Sequence, residues 1–220
     1  MGKEFSCTVR LDGVAAAGKL HLDSSALRIS GARRLTVSLA DVTNAVVAGG
    51  TLRLKANGKL LELDLGAQRA RTWKDAILSP KTLLEKIGLR PAERVYVKNL
   101  PDAEFVDDLT RTLTDPPARV LRGTFDAVFL GVADPTALTK LGRVVAHLNP
   151  AGALWIVHPK GKGSRVAEAA VRAAARAHGL YDAKVVAFSA THTAAKWMIP
   201  LAARADHLTR SARPSRRSAR

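Results

Sequence analysis

The chain has 220 residues, 47% of them apolar and 5% aromatic, with a single cysteine and a formal net charge of +16. That length holds two small domains or one large one, and the apolar share is enough for a packed core. Cys7 alone excludes an internal disulfide, no Cys/His grouping has metal-ligand spacing, the amino terminus lacks a signal-type apolar core, and no apolar run reaches the ~20 residues of a membrane helix.

From Phe5 to Leu65 apolar and polar residues alternate with a period near two. Thr8-Val-Arg-Leu11, Lys19-Leu-His-Leu22, Ala26-Leu-Arg-Ile29, Arg34-Leu-Thr-Val-Ser-Leu39, Asn44-Ala-Val-Val47, Thr51-Leu-Arg-Leu-Lys55 and Lys59-Leu-Leu-Glu-Leu-Asp-Leu65 each read as a strand. Asp12-Gly13, Asp23-Ser24-Ser25, Gly31, Gly49-Gly50 and Asn57-Gly58 separate them, the last pair being a strong hairpin signal. Seven short strands at this spacing predict a small antiparallel barrel or sandwich. The period then becomes helical over Gln68–Leu78, where Ala70, Trp73, Ile77 and Ala76 share a face, and Ser79-Pro80 ends the helix.

Residues 81–90 form a short helix closed by Gly88, and alternation of α and β follows. The spacing predicts strand Val95–Lys98, helix Asp102–Leu113 capped by Asp102, strand Arg119–Arg122, apolar strand Ala127–Gly131, helix Pro135–Leu148 and strand Ala153–Val157. A long alanine-rich helix capped by Ser164 and stopping at His178-Gly179 comes next, then strands Ala183–Ser189 and Ala195–Ile199, the second as an antiparallel edge. Beyond Ala205 the Ser/Arg/Pro-rich end is expected to be disordered. The division expected is therefore 1–80, 81–204 and a tail 205–220.

Charge is uneven along this plan: +5 over residues 1–80, +6 over 81–200 and +5 over the last twenty. A tail carrying Arg210, Arg213, Arg216, Arg217 and Arg220 implies weak, non-specific attraction to nucleic acid or acidic protein. The alternative for the same residues is a solvated tail.

Four local patterns bear on chemistry. Gly13-Val-Ala-Ala-Ala-Gly18-Lys19-Leu20 matches a phosphate-binding loop except at its last position, where Leu20 stands for the required hydroxyl; a strand follows instead of a helix, so it reads as a hairpin. Met1-Gly2…Ser6 meets only the loose myristoylation pattern, and the alanine- and arginine-rich composition is of bacterial type, where that modification is not expected. Gly161-Lys162-Gly163-Ser164, with Lys160 beside it, lies at a strand-to-helix junction suited to an anion; the competing reading is a solvated loop with lysines for solubility. Lys98, Asn99 and His158 fall at strand ends, on the rim where doubly wound sheets bind ligands.

Seven strands, one helix and an inward Trp73 resemble the pleckstrin-homology-like fold, whose helix plugs one end of a barrel. The run FDAVFLGVADPTALTKLGRVVAHLNPAGALWIVHPKG (125–161) resembles the fourth strand, helix and fifth strand of S-adenosylmethionine-dependent methyltransferases, a Rossmann-like α/β fold. LLEKIGLRPAERVYVKNLP and KVVAFSATHTAAKWMIPLA resemble more closely a small uncharacterised bacterial family of methyltransferase-like domains, in which the glycine loop is eroded and Trp197 has a counterpart. Methyltransferases place a glycine-rich turn after the first strand and commonly an acidic residue at the end of the second; here those places hold Lys98-Asn-Leu-Pro101 and Arg122-Gly123. Losing that carboxylate removes a charge-assisted pair worth ~1.5–3 kcal/mol.

From these departures the sequence reading expects no cofactor, no methyltransferase activity and no metal. It favours a non-catalytic cytoplasmic binding or scaffold protein. Two alternatives stay open: an enzyme with a non-standard rim site built on Asn99, His158, Lys160 and Lys162, and an anionic-lipid reader using Lys19, His21, Arg28, Arg33 and Arg34.

Overall fold

The computed structural model describes residues 3–23, 25–161 and 163–211, with side chains described as far as residue 207. The chain divides into two compact units, Met1–Thr82 and Leu83–Arg220.

The first unit is one curled antiparallel sheet followed by a helix. Its strands are β1 (Lys3–Leu11), β2 (Val14–Leu22), β3 (Ala26–Gly31), β4 (Leu35–Ser38), β5 (Val42–Ala48), β6 (Thr51–Ala56) and β7 (Lys59–Asp64), in the order β4-β3-β2-β1-β7-β6-β5. Alternation sorts the faces as expected: Leu20, Leu22, Leu27, Ile29, Leu52, Leu54, Leu61 and Leu63 are buried, while Lys19, Arg28, Arg53 and Lys55 point outward. Helix α1 (Ala67–Leu78) lays Ala70, Trp73 and Ile77 on that core. Trp73 is 2% exposed, so it acts as a plug. Asn57 and Gly58 both take positive φ, 49° and 75°, as a two-residue hairpin of the mirror-image type needs. The phosphate-loop look-alike 13–20 is the β1–β2 hairpin, paired from Leu11↔Val14 to Lys3↔Leu22.

The second unit is a five-stranded mixed sheet, order β11-β12-β10-β9-β8, covered on both faces. Strands β8 (Val95–Lys98), β9 (Phe125–Gly131) and β10 (Leu148–Pro159) run parallel; β12 (His192–Met198) is antiparallel to β10, and β11 (Tyr181–Ala187) is antiparallel to β12. One face holds α2 (Leu83–Ile87) and α3 (Ala103–Thr112), which bury Ile87, Phe105 and Leu109 against Phe129, Trp155 and Val157. Phe129 and Trp155 stack at 6.1 Å, and Phe105 meets Phe129 and Phe188 edge-on. The other face holds a 3₁₀ turn over Pro135–Lys140, α4 (Leu141–Val145) and α5 (Glu168–Ala177) against Val128, Leu154 and Ile156.

Several expectations are corrected here. Residues 119–122 form no strand: this segment touches the sheet only at an isolated bridge, Tyr96↔Ala118, and Arg94 then holds it by donating to the Arg122 and Thr124 carbonyls. The helix expected over 135–148 is a 3₁₀ turn over Pro135–Lys140 followed by one short α-helix, Leu141–Val145, and Leu148 already begins β10. Strand 153–157 is the middle of the longer β10, whose register shifts past Asn149-Pro-Ala-Gly152. The antiparallel strand is internal, and the sheet edge is β11. The tail expected to be disordered from residue 205 begins as α6 (Arg204–Ser211).

Candidate functional site

The carboxyl ends of β8, β9 and β10 form a rim, and each end contributes a distinct group. At β8 the chain leaves the sheet through Asn99, whose φ is +52°. Asparagine tolerates that left-handed conformation because its short amide bonds locally, so the elbow that glycine usually serves is made here without one. Asp102 then caps α3, accepting from the Phe105 amide at 3.0 Å. At β9 the last residue is Gly131. A Cβ built there would lie 1.7 Å from the Asn99 carbonyl oxygen and 2.5 Å from its carbon. The elbow after β8 therefore folds directly onto the end of β9, a contact only glycine permits.

At β10 the rim residue is His158, 3% exposed. Its Nδ1 lies 3.0 Å from the Pro159 carbonyl oxygen. A carbonyl only accepts, so Nδ1 carries the hydrogen and the neutral ring has its lone pair on Nε2. Lys160 is a strut: its Nζ donates to the Ser189 carbonyl at 2.9 Å, and its amide to the Thr191 carbonyl, tying the β10 end to the β11–β12 turn.

The loop after β10 differs from the expected helix start. Ser164 does not cap the helix; its hydroxyl accepts from the Val166 amide and donates to the Val166 carbonyl. Val166 is 1% exposed; the chain bends at Arg165 and Val166, and α5 starts only at Glu168 with Ala167 at its cap. The helix dipole thus sits four residues away from Ser164, and Glu168 occupies its first turn. Gly161 and Gly163 border open space. Lys162 lies outside the described residues, as do Arg213, Arg216, Arg217 and Arg220; Arg210 falls in α6, its side chain undescribed. Lys98 and Asn99 are exposed on the rim.

Sequence reading passed over one pair. Asp134, just past β9, meets Arg165, just past β10, at 3.2 Å, closing the rim between the two loops. The Thr136 amide and hydroxyl, with Arg165, hold the Asp134 carboxyl below the usual carboxylate range. The 31-residue separation of these partners leaves no local signal. Among the basic residues offered to lipid, Lys19 pairs with Glu4 at 2.8 Å and Arg28 with Asp23, so two of the five cations already face carboxylates.

Among the described residues no group of three or more His, Cys, Asp or Glu side chains is placed to hold a metal, and no helix is long and apolar enough to cross a membrane. An open cleft of about 410 Å³ beside His178 and His207 lies at the opposite, amino end of the strands, where His207 bonds the Leu148 carbonyl at 2.8 Å.

No family model and no curated protein matches the chain. Among solved structures it is similar to magnesium protoporphyrin IX methyltransferase from Synechocystis with bound SAM, at 12% identity and TM-score 0.34, covering 44% of this chain and 52% of that one. It is similar to a TehB-like SAM-dependent methyltransferase from Corynebacterium glutamicum, at 10% identity and TM-score 0.34, covering 60% and 97%. A methyltransferase from Pyrococcus furiosus gives 15% identity and TM-score 0.34, covering 59% and 96%. The chain thus spans about half the length of the Synechocystis enzyme. The expected non-catalytic scaffold is corrected at this point: the similar structures are methyltransferases, and the steric ground for a closed elbow fails at Asn99, which bends without glycine. The second unit is a mixed α/β sheet covered by helices on both faces.

Proposed function

We propose that the second unit is a small-molecule transferase of the S-adenosylmethionine-dependent methyltransferase kind, acting from a non-standard site on the rim of its sheet. The observation that carries this reading is the elbow: Asn99 bends at φ +52° with its carbonyl packed on Gly131, so the chain turns at the first strand's end without a glycine there.

The residues present fit the cofactor in part. The Lys98–Asn99 backbone suits its amino-acid end, and Gly161 and Gly163 each border open space. After Ala118 no carboxylate is offered to the ribose, since Arg122 is exposed and its carbonyl is taken by Arg94. When bound, the cofactor supplies an electrophilic methyl group on a sulfonium. The chain's own contribution is to position the acceptor at the rim, with the Asp134–Arg165 pair bridging its two loops. We read the first unit as a pleckstrin-homology-like barrel, on its seven-strand order, its closing helix and the buried Trp73.

Calorimetric titration of the full chain with S-adenosylmethionine is expected to give saturable one-to-one binding, weakened in Asn99→Val. Absence of heat at millimolar cofactor would remove this reading.

A further inference from the structure

We propose that Lys196 is a reactive amine that captures small aldehydes bearing an anionic group as imines, with Lys184 beside it to receive the anion. The site lies in mid-strand, not at the rim, and does not depend on the transferase reading above.

Three strands line up one row of residues there. In the register of the second sheet, Trp155 of β10 stands opposite Lys196 of β12, and Lys196 stands opposite Lys184 of β11. Directly opposed residues on one face have their Cβ atoms about 5 Å apart, and like charges so placed repel. Contacts on either side hold both lysines in the row. Lys184 Nζ donates to the Lys86 carbonyl at 2.6 Å, and Lys196 Nζ lies over the Trp155 ring, 5.7 Å from its centroid. Neither lysine makes an ion pair among the described residues. Glu93, the carboxylate whose charge reaches Lys196, is already paired with Arg90 at 3.0 Å. The row reaches solvent, since Lys184 is exposed and Lys196 half-buried.

Lysines that only cover apolar surface lay their stems on it and hold their heads out in water. Lys196 instead keeps its head on an indole, with a second ammonium across the strand. Burial, and then the Lys184 charge, hold its pKa below the usual lysine range, against the opposing pull of Glu93. A lysine that is desolvated or set beside another cation attacks carbonyl carbon readily, because more of it is free amine. The lone pair of the Lys196 nitrogen forms the C–N bond, and the carbonyl π pair moves to oxygen. That oxygen then leaves as water with the two hydrogens of the amine, and a C=N bond remains. Lys184 has one donor committed to the Lys86 carbonyl and two more to offer an anion. This selects an aldehyde carrying phosphate or carboxylate over a neutral one.

The test treats the full chain with pyridoxal phosphate below stoichiometry, reduces any imine with borohydride and locates the label by peptide mass spectrometry. Lys196 is expected to take most of the label, ahead of exposed lysines such as Lys55 and Lys98, and to react at lower pH than they do. Pyridoxal, which has the aldehyde without the phosphate, should label Lys196 about tenfold less. Lys184→Gln should bring Lys196 down to the level of the other lysines and move its onset up in pH, and Lys184→Arg should restore both. Even labelling across the lysines, equal labelling by pyridoxal and its phosphate, or Lys196 labelling unchanged in Lys184→Gln overturns the proposal. The first two results are read on the wild type and need no variant to fold.

Discussion

A Cβ on Gly131 would sit inside the contact distance of the Asn99 carbonyl, and the clashing atoms are backbone, so no rotamer change relieves it. Gly131→Ala should cost more than the ~1–3 kcal/mol of ordinary overpacking and displace the elbow. Urea midpoints read the first effect, and loss of cofactor heat reads the second. Asn99→Gly keeps the φ of +52° and should change stability by no more than about 0.5 kcal/mol, whereas Asn99→Val should cost ~1–2 kcal/mol. An Asn99→Val variant as stable as wild type would show that the elbow is not left-handed. The absence of glycine from Lys98-Asn-Leu-Pro101 is visible in the sequence, but its consequence is not: asparagine supplies the bend, and the glycine that matters is 32 positions on, at the end of another strand. Asp23 makes a second residue-scale case. Burial pushes its carboxyl up, but the Ser25 and Ala26 amides, the Ser25 hydroxyl and the Arg28 guanidinium outweigh this and hold it down to about 2. A carboxyl depressed on folding stabilises above its unfolded value near 3.9 and loses that contribution as pH falls through its folded one. Between about pH 4 and pH 2 the first unit should therefore lose stability progressively, and Asp23→Asn should flatten that limb of the melting-temperature curve.

Elements were readable where one force decided them. Strands β1–β7 each bury one face, so alternation of leucine with charge carries nearly the whole answer, and Asn57-Gly58 adds the turn geometry. Reading failed where tertiary packing overrode a local signal. Ser164 looks like a helix cap, but Val166 is packed in the core, and the hydroxyl instead staples the bend that places it there. Asn149-Pro-Ala-Gly152 looks like a turn, but β9 beside it keeps the chain in the sheet through a register shift. Arg119–Arg122 alternates like a strand, yet Arg94 holds the Arg122 carbonyl and covers the Phe125 ring at 4.7 Å. The helix most exposed to test is α3, since it begins at the rim and carries Phe105 into the aromatic cluster with Phe129 and Phe188. Asp102→Ala should cost about 1 kcal/mol by freeing the Phe105 amide, and Phe105→Ala about 3–5 kcal/mol by emptying the cluster. Denaturant titration separates the two. An Asp102→Ala variant that loses cofactor heat without losing stability would place the cap in the site itself.

At the scale of the whole molecule, the chain carries separate cores: one built from Val9 to Ile77, and two more, on either face of the second sheet, built from residues beyond Thr82. A ligand stabilises only the part of a protein that it binds when folded, by an amount set by concentration over Kd, about 2.7 kcal/mol at a hundredfold excess. S-adenosylmethionine or its demethylated product should therefore raise the thermal transition of the second unit and leave that of the first in place, giving two calorimetric transitions whose separation depends on ligand. Trp73→Ala assigns them. It empties the centre of the first core at about 3–5 kcal/mol, so the transition it lowers is the one that ligand should not move. A ligand shift in the Trp73-dependent transition, with the other unmoved, would relocate binding from the rim of the mixed sheet to the curled one. Both transitions rising together by the same amount would mean that the two units melt as one.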